Sequence, residues 1–194
     1  VELAKQGKKI HIYYGDPKLI FNELFNKLPF DAVFINTDYE PYATKRDKSI
    51  KFSLSKKKVK FHSFKDQVIF EKDEILTAEG KVYGVYTYYM KKWKSMFRAS
   101  MTQPFPSDTL LHKCITSDVM PSVKSIDEIG FLQTEYILFK PNLTYRSLLD
   151  YEESRDNPNL EGTSNASVHL RFGFLSIREV VKIAYQCSDG FLNE

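Results

Sequence analysis

The sequence predicts an α/β fold with a parallel sheet, continuing through a linker into a helical segment. Three observations support this. β-rich and helix-periodic runs alternate over the first 36 residues. Residues 100–135 lose that periodicity around Pro104, Pro106 and Pro121. From Thr144 onward the pattern turns helical.

Taken in order, residues 1–7 read as the last turns of a helix closed by Gly7, with no start signal before them. The chain also stops abruptly after a turn-like 188–190, so both ends are expected to be truncated. Residues 9–14, Lys-Ile-His-Ile-Tyr-Tyr, lie between Gly7 and Gly15 and predict a strand. Pro17 suits a first helical turn, and Leu19, Ile20, Leu24 and Leu28 recur at helical spacing. Residues 31–36 form a short continuous apolar run, as expected for a strand buried on both faces. Strand, helix and strand with tight connections make a βαβ unit, hence a Rossmann-like parallel sheet with right-handed crossovers.

Thr37 or Asp38 is expected to start the next helix, with Pro41 near its first turn. Lys56, Lys57 and Lys58 read as a solvated helix end running into a strand from Val59. Residues 68–70 and 74–77 predict short β pieces around a turn, and residues 80–93 lead into a helix with Trp93 as a core anchor under the sheet. Ser176 and Glu179 form a capping-box pattern ahead of Val180, Val181, Ile183 and Ala184.

Hydrophobic residues at 42% and aromatic residues at 14% suffice for a core. The formal charge of +3, from 28 basic and 25 acidic residues, permits a nucleic-acid partner without arguing for one. Cys114 and Cys187 lie far apart and imply neither a disulfide framework nor a metal cluster, which suits a reducing compartment. No apolar run reaches membrane-spanning length and no signal-peptide pattern opens the chain, so the reading is a soluble, cytoplasmic monomer that does not engage a membrane.

The most informative stretch is 151–179. Thr163, Ser164 and Ser167 place three hydroxyls within five residues, just behind Gly162 and ahead of an apolar run. Such residues start helices, and a helix start offers unpaired N–H groups to an anion, usually phosphate. Taken alone, Thr163 or Ser164 reads first as a simple helix cap.

The wider pattern is Tyr151-x-x-x-Arg155-Asp156-x-Pro158, then Gly162-Thr163-Ser164-x-x-Ser167-x-His169-Leu170-Arg171-Phe172-Gly173-x-x-Ser176-x-Arg178. It resembles the start of the flavin-binding domain in the DNA photolyase and cryptochrome family. Two further stretches match in the same order. One is Asp38-Tyr-Glu-Pro-Tyr-x-x-x-Arg46-Asp47; the other is Gly80-x-x-Tyr83-x-Val85-Tyr86-Thr87-x-Tyr89-x-x-x-Trp93, where Tyr88 replaces the usual proline. Arg46 and Asp47 read equally as an exposed ion pair.

The resemblance implies that Thr163, Ser164 and Ser167, with Asn165 and Ala166 between them, wrap the phosphates of FAD, and that Tyr151 contacts the flavin nucleotide. Ala166 and Val168 stand where the family usually has Leu and Pro. It further implies an α/β antenna domain over 1–99 lacking its first strand, a linker over 100–140, and the opening of an all-helical FAD-binding domain over 141–194. Tyr42 and Ala43 stand where some members use an Asn–Glu pair toward a folate, so the resemblance does not extend to that contact; any antenna chromophore is of unknown identity.

The activity implied is light-driven repair of DNA containing pyrimidine dimers, by a deoxyribodipyrimidine photo-lyase whose catalytic groups lie beyond the chain end. Arg155 is the DNA-contact candidate, with an internal pair to Asp156 or Glu153 as the alternative. A cryptochrome photoreceptor binding the same flavin is the second reading, and a flavin-free α/β binding module the third. No metal site is expected.

Overall fold

The computed structural model describes residues 2–114, 125–132, 134, 135 and 138–194. They divide into two compact units that alternate along the sequence: Val1–Phe64 with Phe105–Tyr136, and Lys65–Pro104 with Ile137–Glu194. The segment 65–99, grouped by sequence with the α/β domain, therefore lies in the second unit.

The first unit opens with α1 (Glu2–Lys5), closed as expected by Gly7 at φ +67°, with the Lys8 N–H donating to the Leu3 carbonyl at 2.9 Å. Helix α2 (Pro17–Lys27) begins at Pro17, and the Asp16 carboxylate accepts from the N–H groups of Lys18 (2.7 Å) and Leu19 (3.2 Å). Strand β1 (Ala32–Asn36) pairs in parallel with β2 (Lys60–Phe64), Ala32 facing Lys60 and Asn36 facing Phe64, with α3 (Pro41–Lys56) between them in sequence. The unit predicted from 9–14, the helix at Pro17 and 31–36 is not formed among the described residues; the small parallel sheet of this mixed α/β structure belongs to the next unit along the chain, β1–α3–β2.

Helix α3 starts later than Thr37 or Asp38 because Pro41 forces its predecessor into extended backbone; Glu40 has φ −65° and ψ 143°. Asp38 instead accepts from the Glu40 N–H at 3.1 Å, forming a turn ahead of the helix. Ala43, Ile50 and Leu54 are its buried stripe, with Leu54 fully enclosed. The helix ends as predicted within the lysine run, where Lys58 turns left-handed at φ 61° and the Val59 N–H reaches back to the Leu54 carbonyl at 3.1 Å.

Two strand expectations in this unit are corrected. Residues 9–14 form no strand. Their side chains still alternate, with His11 and Tyr13 stacked at 6.3 Å while Ile10, Ile12 and Tyr14 are exposed, but the backbone does not enter the β1–β2 sheet. Nor is β1 buried on both faces: Phe34 is 66% exposed and stacks on His62 (4.9 Å) and Phe64 (6.1 Å), because α3 packs on the sheet from one side.

In the second unit, 68–70 and 74–77 are turns rather than β pieces. They bury Ile69, Phe70 and Ile75 against Phe97. Trp93 of α4 (Tyr86–Met96) belongs to this core and not to the β1–β2 sheet: it meets Phe70 edge-on at 5.5 Å and stacks on Phe97 at 4.9 Å. The helical segment comprises α5 (Tyr145–Leu149), α6 (Tyr151–Ser154), α7 (Ser167–Arg171), α8 (Ile177–Cys187) and α9 (Asp189–Asn193). Thr144 caps α5 by accepting from the Ser147 N–H at 3.2 Å. Ser176 occupies the N-cap position of α8 without making a cap bond, so the capping box is present in sequence only.

Between 99 and 129 the chain forms 3₁₀ turns at Ala99–Thr102, Ser107–Lys113 and Asp127–Ile129. Pro121 of the predicted linker lies outside the described residues. Among the described residues no helix is long and apolar enough to cross a membrane, and no group of His, Cys, Asp and Glu is placed to hold a metal.

Candidate functional site

The hydroxyl-rich stretch forms a short lip between α6 and α7. Helix α7 starts at Ser167 with Ala166 in the N-cap position, so neither Thr163 nor Ser164 is the cap. The Ser164 hydroxyl accepts from the Ala166 N–H at 3.4 Å, two residues on, and the Thr163 hydroxyl lies 3.4 Å from the Asn165 side-chain oxygen. Asn165 is left-handed at φ 52°, a conformation its short polar side chain tolerates, and Ala166 returns to right-handed backbone. That reversal turns successive N–H groups toward one side, as in an anion-binding nest.

Ser167, Val168 and His169 precede the first helical bond, which runs from the Leu170 N–H to the Ala166 carbonyl at 2.9 Å; their N–H groups have no acceptor among the described residues. Thr163, Asn165 and Ser167 are exposed, Ser164 is half-buried and Ala166 is buried in the packing beneath. With five residues α7 has little macrodipole, so anion binding here rests on the N–H and hydroxyl donors.

Three residues that sequence reasoning did not single out hold the lip in place. A Cβ on Gly162 would overlap the Ser154 carbonyl, so glycine alone lets the lip close on α6. The Asn142 N–H donates to the Ser164 carbonyl at 2.7 Å, and the His169 ring nitrogen lies 2.9 Å from the Phe139 carbonyl. Gly162 and His169 stand within the quoted motif without a role of their own there; Asn142 had no local signal.

Tyr151 opens α6, half-buried, its ring edge-on to Phe191 at 4.9 Å with the Arg155 guanidinium 5.6 Å from the ring centre. Arg155 pairs with Glu194 and lies 3.8 Å from Asp156. The internal-pair alternative is therefore realised with Asp156 and a distant carboxylate, and not with Glu153. Gly162 brings the lip against Ser154, one turn along α6 from Tyr151.

The donor set fits a phosphate. A cavity of about 580 Å³ beside the lip, lined in part by Arg146, Asp150, Glu153, Ser154 and Glu161, is a poor host for a flavin ring, since it carries three carboxylates and a single apolar side chain. The cavity next to the lip therefore provides donors and charge but no flat apolar slot for a ring.

Elsewhere, Arg46 and Asp47 pair at 2.7 Å, half-buried and not exposed as expected; that hydrogen bond raises the guanidinium further above its ordinary value. Ala43 is buried in α3 packing. Cys114 is exposed, Cys187 half-buried, and both are free thiols.

A parallel βαβ unit followed in the chain by short helices and a hydroxyl-bearing turn makes this a mixed α/β protein. The chain belongs to the DNA photolyase family, whose sequence profile matches residues 1–109. It is 33% identical over 190 residues to a deoxyribodipyrimidine photo-lyase of Halobacterium salinarum, an alignment covering 92% of this chain and 39% of that protein. Its fold is similar to that of a bacterial class III photolyase from Agrobacterium tumefaciens, with a TM-score of 0.77 at 23% identity, covering 98% of this chain and 43% of the other. It also matches an archaeal photolyase from Sulfolobus tokodaii solved with two FAD molecules, with a TM-score of 0.60 at 20% identity, covering 99% and 42%. The chain spans about 40% of the length of these relatives.

Proposed function

We propose that this chain is the leading part of a light-driven DNA-repair flavoprotein, a deoxyribodipyrimidine photo-lyase, with 1–99 as the α/β antenna domain and 141–194 opening the FAD-binding domain. The observation that carries the site assignment is the set of donors on the 163–167 lip: exposed Thr163 and Ser167 hydroxyls beside the N–H groups of Ser167, Val168 and His169, which have no acceptor among the described residues. Membership of the DNA photolyase family supports the reading of the guest as FAD.

In this assignment Thr163, Ser164 and Ser167 hold the phosphates and left-handed Asn165 aims the backbone donors at them. Ala166 anchors the lip from below, and Tyr151, clamped between Phe191 and Arg155, lies against the nucleotide. Bound reduced FAD would supply the light absorption and the electron that splits a cyclobutane pyrimidine dimer. Arg155 is offered to a DNA phosphate, which must compete with the carboxylates of Glu194 and Asp156.

The test uses full-length protein with Thr163, Ser164 and Ser167 all replaced by alanine. It is expected to fold, judged by circular dichroism, while losing flavin absorbance. Retention of stoichiometric FAD would overturn the phosphate assignment. In the unaltered protein, restoration of dimer-containing oligonucleotides only under blue light supports the lyase; flavin photoreduction without restoration supports the photoreceptor reading.

A further inference from the structure

We propose that the outer face of α3 docks single-stranded nucleic acid, with Phe52 and Tyr42 as stacking platforms and Lys45, Lys48 and Lys56 as phosphate contacts. This surface is separate from the flavin lip and does not depend on it.

The inner stripe of α3 is Ala43, Ile50 and Leu54. At 3.6 residues per turn, Phe52 projects from the opposite side, flanked by Lys45, Lys48 and Lys56. Phe52 is 63% exposed and Tyr42, at the edge of the same face, 68% exposed. Among the described residues neither ring is buried in the packing of the first unit, which leaves both rings open to a planar guest. The Lys56 ammonium sits 4.4 Å from the centre of the Phe52 ring.

Charge selects the occupant. Lys45, Lys48 and Lys56 are exposed and have no carboxylate partner among the described residues. Asp47, the acid within α3, is occupied by Arg46 at 2.7 Å. The face is therefore uniformly cationic with rings set into it, the combination that tracks a phosphate backbone while stacking on bases. Ten residues separate the rings, about 15 Å along a helix, a span of a few nucleotides. A duplex keeps its base faces stacked away from such rings. A membrane-surface helix would turn an apolar face to the lipid and a basic face to water, whereas here rings and lysines share one face.

The experiment measures fluorescence anisotropy of a labelled oligothymidylate with the protein at low and moderate salt. Phe52→Ala is expected to weaken binding about tenfold and Tyr42→Ala by a similar factor, each removing one stacking contact. Lys45→Gln with Lys48→Gln is expected to flatten the salt slope by about 1.4, at roughly 0.7 per released counterion on a single strand. Phe52→Leu, which keeps apolar bulk but no ring, should not restore affinity. All of these positions are exposed, and an unchanged thermal melt verifies folding. Affinity insensitive to both ring substitutions, tighter binding to the matching duplex, or binding to phosphatidylserine vesicles in preference to the oligonucleotide each overturns the proposal. In full-length protein the triple alanine variant of the flavin lip should bind the oligonucleotide unchanged and the α3 variants should keep their FAD, so either reading can fail without the other.

Discussion

In residues 31–64 the buried apolar side chains, Ala43, Ile50 and Leu54, lie on a helix beside a hydrogen-bonded ladder, whereas in residues 65–104 Ile69, Phe70 and Ile75 are buried in turns packed with Trp93 and Met96 of α4. The two stretches look alike in composition: Val33, Phe34 and Ile35 in one, Val68, Ile69 and Phe70 in the other. Only the first has a partner strand, at Lys60–Phe64. The second places Ile69, Phe70 and Ile75 around Phe97 and Trp93 with no ladder at all. An apolar β-branched run thus fixes neither burial, since Phe34 is exposed while Phe70 is buried, nor sheet membership, which a neighbouring strand decides.

The sharpest way to break this comparison is to empty each core. Phe97→Ala removes a ring 6% exposed that stacks on Trp93 and touches Tyr185 at 5.0 Å, and is expected to cost about 3–5 kcal/mol. Leu54→Ala, at a fully enclosed position of α3, is expected to cost about 2–5 kcal/mol. Urea unfolding of both variants measures this, and a loss well under 1 kcal/mol for Phe97→Ala would deny that the turn-built region has a core of its own.

A smaller effect separates local from tertiary stabilisation. Asp16→Ala removes the side chain that satisfies two N–H groups of α2, with an expected cost of about 1 kcal/mol. Asp16→Asn should recover most of it, because an amide oxygen accepts the same bonds.

The smallest effect lies in the turn region and depends on pH. Glu74 accepts from Lys65 at 2.7 Å, and this hydrogen bond, aided by the Glu71 N–H, holds its carboxyl below its ordinary value of 4.5. A folded value below the unfolded one means a contribution fully present above about pH 4.5 and lost as pH falls through the folded value. Both side chains are partly exposed, so the contribution stays under about 1 kcal/mol. Unfolding of the protein and of Glu74→Gln should therefore differ at neutral pH and converge in acid; a constant difference across that range would remove the pair from the account.

What the sequence determined by itself is local. Pro17 marked the start of α2, Gly7 and the lysine run marked helix ends, and the runs at 31–36 and from Val59 marked the segments that become β1 and β2. The order of Tyr151, Gly162, Thr163, Ser164 and Ser167 pointed to the family and to the lip. Each of these signals acts within a turn or two of chain, where backbone geometry and capping leave few alternatives. Tertiary structure decided the rest: that residues 9–14 stay out of the sheet, that Trp93 joins Phe70 and Phe97, and that Ala166, not Thr163 or Ser164, precedes α7. It also chose Glu194 over Glu153 for Arg155, 39 residues along the chain. Such choices depend on which distant groups the fold brings within contact range, and spacing along the chain does not encode that distance.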